Sequence, residues 1–350
     1  QPSDTRLEAD NAVTQCGWKN SYFVDADHIN LGNVERFIEP SDFFTIDVAD
    51  YIGKETDKTA LENFVSKNLK YVGKLKIPGI SHDFNLSRED LYKIGSRFLF
   101  AVEKAAEIYK FIEERKGKNK FVTEVSMDEV DSPQTPLEMF FILSAIAMLK
   151  IPAQTIAPKF TGRFNKGVDY VGDIKQFSKE FEEDILVIDY AVKEFGLPEN
   201  LKLSVHSGSD KFSIYPVMGE LIKKYNKGIH VKTAGTTWLE EVIGLAEAGG
   251  EALSLAKSIY EKAFAYSEEL CKPYATVIDI EFSKLPAPAT VNTWDGQRFA
   301  NALRHIPGHP EFDPNLRQLI HVGYKVAADY GNEYLQLLKK NEEIVGKQVF

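Results

Sequence analysis

Cysteine is nearly missing from this chain. Cys16 and Cys271 are the only two in 350 residues and lie far apart in sequence. No disulfide framework is indicated, and a reducing compartment, the cytoplasm, is expected. Long apolar runs are lacking too. The longest, residues 139–149, falls well short of the roughly 20 residues that span a bilayer, so no membrane partner is expected. No signal peptide is expected at the start. Gln1 stands first in place of a methionine, so the start is expected to be trimmed, with residues missing before it. Basic runs are scarce: net charge is −10 and the pI about 5.4. That balance argues against a nucleic-acid surface, and the short charged run at 113–120 reads as a solvated helix end. Neither G-x-G-x-x-G nor G-x-x-x-x-G-K-[ST] occurs, which removes the usual dinucleotide and nucleotide signals and with them a nicotinamide cofactor. Without G-x-S-x-G, a CxxC pair or HExxH, serine-hydrolase, redox-thiol and zincin readings have no support. There is no short internal repeat and no low-complexity segment.

What is present is 43% hydrophobic and 27% charged residues, enough for one large or two ordinary domains. Residues 201–238 organise the rest. Leu201, Leu203 and Val205 share one parity, and Ser204 and His206 share the other. A strand sends these two sets to opposite faces. Residues 229–232 repeat the plan, with His230 and Lys232 on one face. Each run is followed by a turn and a helical segment. Further strands are expected at 22–28, 43–48, 121–126, 151–157 and 274–282. Helices are expected at 58–72, 88–115, 136–149, 173–195, 216–225, 251–271 and 315–340. Ser87 with Asp90 and Thr135 with Glu138 form capping boxes. Residues 1–19 read as a polar, irregular linker. Strand–helix alternation implies parallel pairing with right-handed crossovers. The expected fold is therefore α/β, a (β/α)8 TIM-like barrel with loop insertions over residues 20–345. An open doubly wound sheet is the rival, and it would usually carry a nucleotide signal.

In a barrel the chemistry lies at the strand C-terminal ends. The polar residues there are Asp25, Asp27, His28, Glu124, Lys159, His206, Asp210, His230, Lys232, Asp279 and Glu281. Imidazoles with carboxylates are the usual ligands of a divalent metal cation, here Zn, Mn, Ni, Co or Fe. His28, His206 and His230 are the candidate metal ligands. Asp27 and Glu124 are candidate ligands or proton shuttles, and Asp131, in a loop with Asp128 and Glu129, is a candidate acid or base. Lys159, Arg163 and Lys232 could grip a carboxylate. Asp210 could bind hydroxyls, and Trp238 could stack on a sugar ring. The blander readings stand beside these. A strand-end histidine is more often a loop hydrogen-bonder, Lys232 could pair with Glu124 or Asp279, and the acids at 128–131 could be a solvated loop. His305 and His309 lie in a Pro-Gly loop and read as surface residues; His82 and His321 carry no supporting pattern.

Several of these stretches carry a joint resemblance. They are Asp25-Ala-Asp-His28, Thr123-Glu-Val-Ser-Met-Asp-Glu-Val-Asp-Ser132, Phe160-Thr-Gly-Arg-Phe-Asn-Lys166, His206-Ser-Gly-Ser-Asp-Lys211, Lys232-Thr-Ala-Gly-Thr-Thr-Trp238 and Trp294-Asp-Gly-Gln-Arg-Phe299. Together they resemble the tagaturonate/fructuronate epimerases of thermophilic bacteria, over most of residues 20–345. The resemblance implies a metal-dependent isomerase interconverting D-tagaturonate and D-fructuronate, with relatives acting on tagatose and fructose. It implies a small-molecule keto-sugar or keto-uronate partner; a homo-oligomeric state is left open. The two ketoses differ at C4, where a carbanion would have no adjacent carbonyl. Retro-aldol cleavage of C3–C4 and rejoining avoids that problem; two-base proton transfer is the lesser route. Two other readings remain: a metal-dependent aldolase or ketose–aldose isomerase, and a non-catalytic sugar-acid binding protein.

Overall fold

Alternating runs of aliphatic residues become the strands of one curled, parallel, half-barrel sheet. It comprises β1 (Asp25–Ile29), β2 (Phe43–Asp47), β5 (Val122–Ser126), β6 (Thr155–Ala157), β7 (Lys202–His206) and β8 (His230–Lys232), hydrogen-bonded in that order. A separate antiparallel hairpin pairs β3 (Gly73–Leu75) with β4 (Phe84–Leu86); residues 82–86 read as a loop from sequence. The structure is a computed structural model that describes every residue except Asp131, Ala234, Gly235, Pro307 and Phe350. Among the described residues no helix is long and apolar enough to cross a membrane.

The chain divides into two compact units. The first holds Gln1–Thr161, Ile174–Val205 and Val217–His230; the second holds Gly162–Asp173, His206–Pro216 and Val231–Phe350. In the first, helices α2 (Lys58–Asn68), α3 (Arg88–Lys116), α4 (Pro136–Met148), α5 (Ile174–Phe195) and, from Val217 onward, α6 (Tyr215–Tyr225) connect the strands. The boxes Ser87/Asp90 and Thr135/Glu138 open α3 and α4, as expected. Helix α4 is apolar nearly all round and buries an unbroken run from Met139 to Ile146. Phe140, Phe141, Phe44 and Phe98 are essentially sealed from solvent, each worth about 1.5–3 kcal/mol of burial.

The first residues differ from expectation. Pro2–Gln15 is helix α1, opened by a reciprocal cap between Gln1 and Asp4. None of its residues is buried, so it offers no apolar stripe to read. It is tethered by the Arg6 guanidinium, whose Nη2 lies 2.6 Å from Asp42.

The second unit is helical: α7 (Thr236–Ala248), α8 (Gly250–Ala265), α9 (Ser267–Cys271), α10 (Pro288–Val291), α11 (Gly296–Leu303), α12 (Pro314–Val322), α13 (Tyr324–Ala328), α14 (Asn332–Lys340) and α15 (Glu342–Val349). They close on a core containing Leu239, Ile243, Ile259, Tyr260, Phe299 and Leu319. Gly296 is required where α11 starts, because a Cβ would fall on the Ala246 carbonyl. The single helix expected over 315–340 is three. It breaks at Gly323 and again at Gly331, whose φ is +48°. The expected 251–271 helix likewise breaks at Tyr266.

One expected strand is not formed. Residues 274–282 have β-type alternation, but other groups take their backbone. Asp279 N–H donates to Gln318 Oε1, Glu281 N–H donates to Asn315 Oδ1, and Gln318 Nε2 donates back to the Asp279 carbonyl. The Val277 carbonyl accepts from Lys166 N–H. Backbone groups satisfied this way need no ladder partner. Among the described residues the parallel sheet therefore has six strands, and a full eight-stranded closure is not seen.

Candidate active site

Parallel register aligns residues of one parity into rows. Thr45, Glu124 and Thr155 form one row, and Asp47 pairs with Ser126 two residues further on. Two residues of strand separate the rows by about 6.6 Å. The Asp47 row lies at the C-terminal ends, and the Glu124 row lies beneath it.

The upper row holds an imidazole among carboxylates. His28 Nδ1 is 3.0 Å from Asp47 Oδ2, and its Nε2 is 3.5 Å from Asp27 Oδ1 and 3.9 Å from Glu129 Oε1. Strict alternation would point Asp27 and His28 to opposite faces. A register shift between Ala26 and Ile29, with His28 at φ +49°, brings both to one place. A non-glycine residue in that region costs roughly 1–3 kcal/mol and persists where surrounding contacts fix it. Burial alone would lower the His28 pKa. The Asp47 hydrogen bond and the charges of Glu129, Asp47 and Asp128 outweigh it, and the net shift is upward. Among the described residues, ligand atoms of His28, Asp47 and Glu129 all lie within 4.8 Å of one another. An Nδ1–H directed at a carboxylate leaves Nε2 with its lone pair, the arrangement typical of a metal-binding histidine. The residues therefore fit a divalent cation.

The lower row holds a carboxylate–imidazole dyad whose carboxylate is buried. Glu124 is 0% exposed. Its Oε2 lies 3.0 Å from His230 Nδ1 and accepts from Thr155 Oγ1 at 2.7 Å. Thr45 Oγ1 stands between Glu124 and Asp25, at 3.4 and 3.2 Å. Ser204 Oγ also meets His230 Nδ1, at 3.0 Å, and the Phe43 ring lies 5.0 Å from the imidazole.

The other sequence candidates distribute as follows. Lys159 belongs to the first unit, where its backbone N–H donates to Gln134 Oε1. In the second unit, Arg163 Nη1 pairs with Asp279 at 2.9 Å. His206 ends β7, and the Lys232 carbonyl accepts from Ser207 N–H at 2.8 Å. The Asp210 carbonyl faces the Lys211 amine. The indole of Trp238 donates to the Ile320 carbonyl at 3.1 Å and packs on Tyr334, so helix packing occupies it. Asp131 lies outside the described residues. His82 stands 3.8 Å from Glu183, while His305 makes tilted ring contacts with Phe212 and Phe312.

Asp47 was missed from sequence and Glu129 was read mainly as solvated loop. Asp47 carried a usable signal, since it shares parity with Phe43 and Thr45 at a strand end. Glu129 carried none, because a loop has no fixed parity.

With this geometry in view, comparison with known proteins is informative. The chain matches the family model described as UxaE, tagaturonate epimerase, over residues 2–346. It is 30% identical over 355 aligned positions to a tagaturonate/fructuronate epimerase of Thermotoga maritima, covering 97% of this chain and 68% of that protein. A glycerol-complexed crystal structure of fructuronate-tagaturonate epimerase UxaE from Cohnella laeviribosi matches with TM-score 0.77 at 24% identity. The match covers 97% of this chain and 68% of that one. The native crystal structure of that enzyme gives TM-score 0.75 at 22% identity over the same shares. At that identity the structures speak for the fold alone.

Proposed function

The chain belongs to the tagaturonate epimerase family, isomerases acting on carbohydrates, and on that premise we propose how its own residues invert C4 of a ketohexuronate. His28, flanked by Asp27 and Glu129 and oriented by Asp47, would hold a divalent cation; His206 is the further ligand that the sequence suggests. A cation held there would supply Lewis acidity toward the substrate's ketone oxygen. Glu124 keeps the Nδ1 proton of His230 in place, which leaves Nε2 as the basic nitrogen. His230 Nε2 accepts the C4 hydroxyl proton as the C3–C4 bond breaks. The bonding pair passes to C3 as an enediolate with C2, and C4 becomes an aldehyde. Rotation of the aldehyde presents its other face. The C3–C4 bond re-forms, and the C4 oxygen regains a proton from Asp27 or from the dyad, according to the epimer. Arg163 and Lys232, both of the second unit, would grip the uronate carboxylate, and Lys159 of the first unit is a separate candidate for that task. A cytoplasmic location belongs to the same proposal and is supported by the scarcity of cysteine.

The observation that carries this reading is the Asp47–His28 hydrogen bond of 3.0 Å, which turns the second ring nitrogen toward Asp27 and Glu129. The test is incubation with D-tagaturonate, metal-loaded and chelated, with products identified by NMR. Fructuronate that depends on metal is expected. Three-carbon fragments would indicate an aldolase, an aldose product an isomerase, and binding without turnover a sugar-acid binding protein. Absence of fructuronate from the metal-loaded sample would sink the assignment.

A further inference from the structure

Two buried cations that this reaction scheme leaves unused tie the loops after β6 and β7 to each other and to α12. Lys211 is 0% exposed. Its amine donates to Ser209 Oγ at 2.9 Å and to the carbonyls of Asn165 and Ser209, both at 3.1 Å. Ser209 Oγ in turn accepts from Gly167 N–H at 3.0 Å. Arg317, also 0% exposed, donates through Nε to the Gly167 carbonyl at 2.7 Å and through Nη1 to the Leu303 carbonyl. Gly167 has φ +80°, and Gln318 Cα lies 3.4 Å from where its Cβ would stand, so a side chain is strained there. The connected path runs from Leu303 through Arg317, Gly167 and Ser209 to Lys211 and Asn165. All of these residues belong to the second unit.

Loop carbonyls are ordinarily hydrated. Here four of them, from Asn165, Gly167, Ser209 and Asp210, are bound by buried cations, and Arg317 also takes the carbonyl of Leu303 at the end of α11. Burying an ammonium is costly unless its protons are all used. Burial depresses the Lys211 pKa to about 7, even with Asp169 and Asp210 near enough to pull it up. A polar residue would be a cheaper way merely to close a turn. What one ammonium does that a hydroxyl cannot is bridge several acceptors on two separate loops.

We propose that Lys211 is a positioning residue: it locks the loop bearing Arg163 and Lys166 to the loop bearing His206 and Asp210, so that their polar groups face a substrate as one preorganised set. The inference rests on the epimerase reading above. Holding groups in register matters because a misplacement of about 1 Å can cost on the order of 10²-fold in rate.

The experiment compares wild type, Lys211→Met, Lys211→Ala and Ser209→Ala by steady-state epimerisation and by hydrogen–deuterium exchange. For Lys211→Met, kcat/KM should fall about 10²-fold, mainly through KM, with faster exchange confined to residues 162–173 and 206–216. Propylamine added to Lys211→Ala should restore part of the rate, whereas propanol should not. Should the lysine variants fail to fold, Ser209→Ala, which removes one acceptor, should show a smaller loss with the same exchange pattern. Unchanged kcat/KM in Lys211→Met, or unchanged loop exchange in Ser209→Ala, overturns the proposal. An inactive wild type whose Lys211→Met loops still exchange faster would break the epimerase reading while leaving the clamp intact.

Discussion

Glu124 Oε2 lies 3.0 Å from Nδ1 of His230, and no part of the glutamate side chain reaches solvent. A buried carboxylate is tolerated only when its hydrogen bonds are filled. Glu124 fills them with the Thr155 hydroxyl and the imidazole. The pair is either a fixed structural strut or a means of holding His230 in the tautomer that can accept a proton. Glu124→Gln separates the two. It keeps the shape and can still accept from Nδ1–H, but it removes the charge that stabilises an imidazolium. Bound metal should be unchanged and kcat should drop by about 10²–10⁴-fold. Wild-type turnover in Glu124→Gln would make the pair a strut.

The metal assignment has a separate test. If Asp47 orients His28, then Asp47→Asn should weaken divalent-metal binding by about 10–100-fold without unfolding the protein. Glu129→Gln should weaken it also. Titration with Mn²⁺ and a competing chelating dye measures both. The doubly substituted His206→Ala/His230→Ala protein tests the sequence-level ligand set. Full metal loading there would show these two to be ordinary strand-end histidines. Unaltered affinity in Asp47→Asn would move the metal away from His28.

How far these residues could be read from sequence depended on parity. Glu124, His206 and His230 sit on regular strands, so alternation alone assigned their faces. Asp47 obeyed the same rule. Asp27 with His28 could not be settled that way, since the register shift at Ala26/Ile29 turns on a local backbone choice that periodicity does not encode. Residues 274–282 failed for the opposite reason. Their alternation is genuine, but Gln318 and Asn315, remote in sequence, take the hydrogen bonds a neighbouring strand would have taken. The Lys211 clamp was equally hidden, because a lysine next to an aspartate in a turn reads as surface until its burial is known.

Acid sensitivity should trace in part to His321. It is buried on α12, and its Nδ1 finds no hydrogen-bond partner among the described residues. Burial, then the charges of Lys166, Arg317 and Lys211, lower its pKa to about 3. Half-buried His305 is lowered to about 4, again chiefly by burial. The unfolded chain binds these protons near pH 6.5 and the folded chain resists them. Stability is therefore fully present above about pH 6.5 and is lost as pH falls toward those lowered values. His321→Gln should reduce proton uptake on unfolding by about one between pH 6 and 4, equivalent to a slope smaller by about 1.4 kcal/mol per pH unit. Calorimetric Tm measured against pH reads this directly, and coincident wild-type and His321→Gln curves would contradict it.

Asp184 should act in the opposite direction. It lies on the inner face of α5, 3% exposed, and its Oδ1 has no hydrogen-bond partner among the described residues. Burial first, then the charges of Glu180 and Glu183, push its pKa well above the usual carboxylate range. The folded chain thus holds this proton more tightly than the unfolded chain does. The resulting stability is complete below the unfolded carboxyl pKa and is lost as pH rises through the raised folded value. Near neutral pH the protein therefore carries a penalty, either an ionised carboxylate without partners or the work of keeping it protonated. Asp184→Asn cannot ionise. It should be more stable than wild type by about 1–3 kcal/mol at pH 8, the usual range for an unsatisfied buried group. The advantage should shrink steadily as the solution is acidified toward pH 5. Denaturant titrations at several pH values would give the difference. A variant less stable than wild type at pH 8 would mean that the carboxylate is ionised and well solvated in its pocket, contrary to the burial on which the expectation rests.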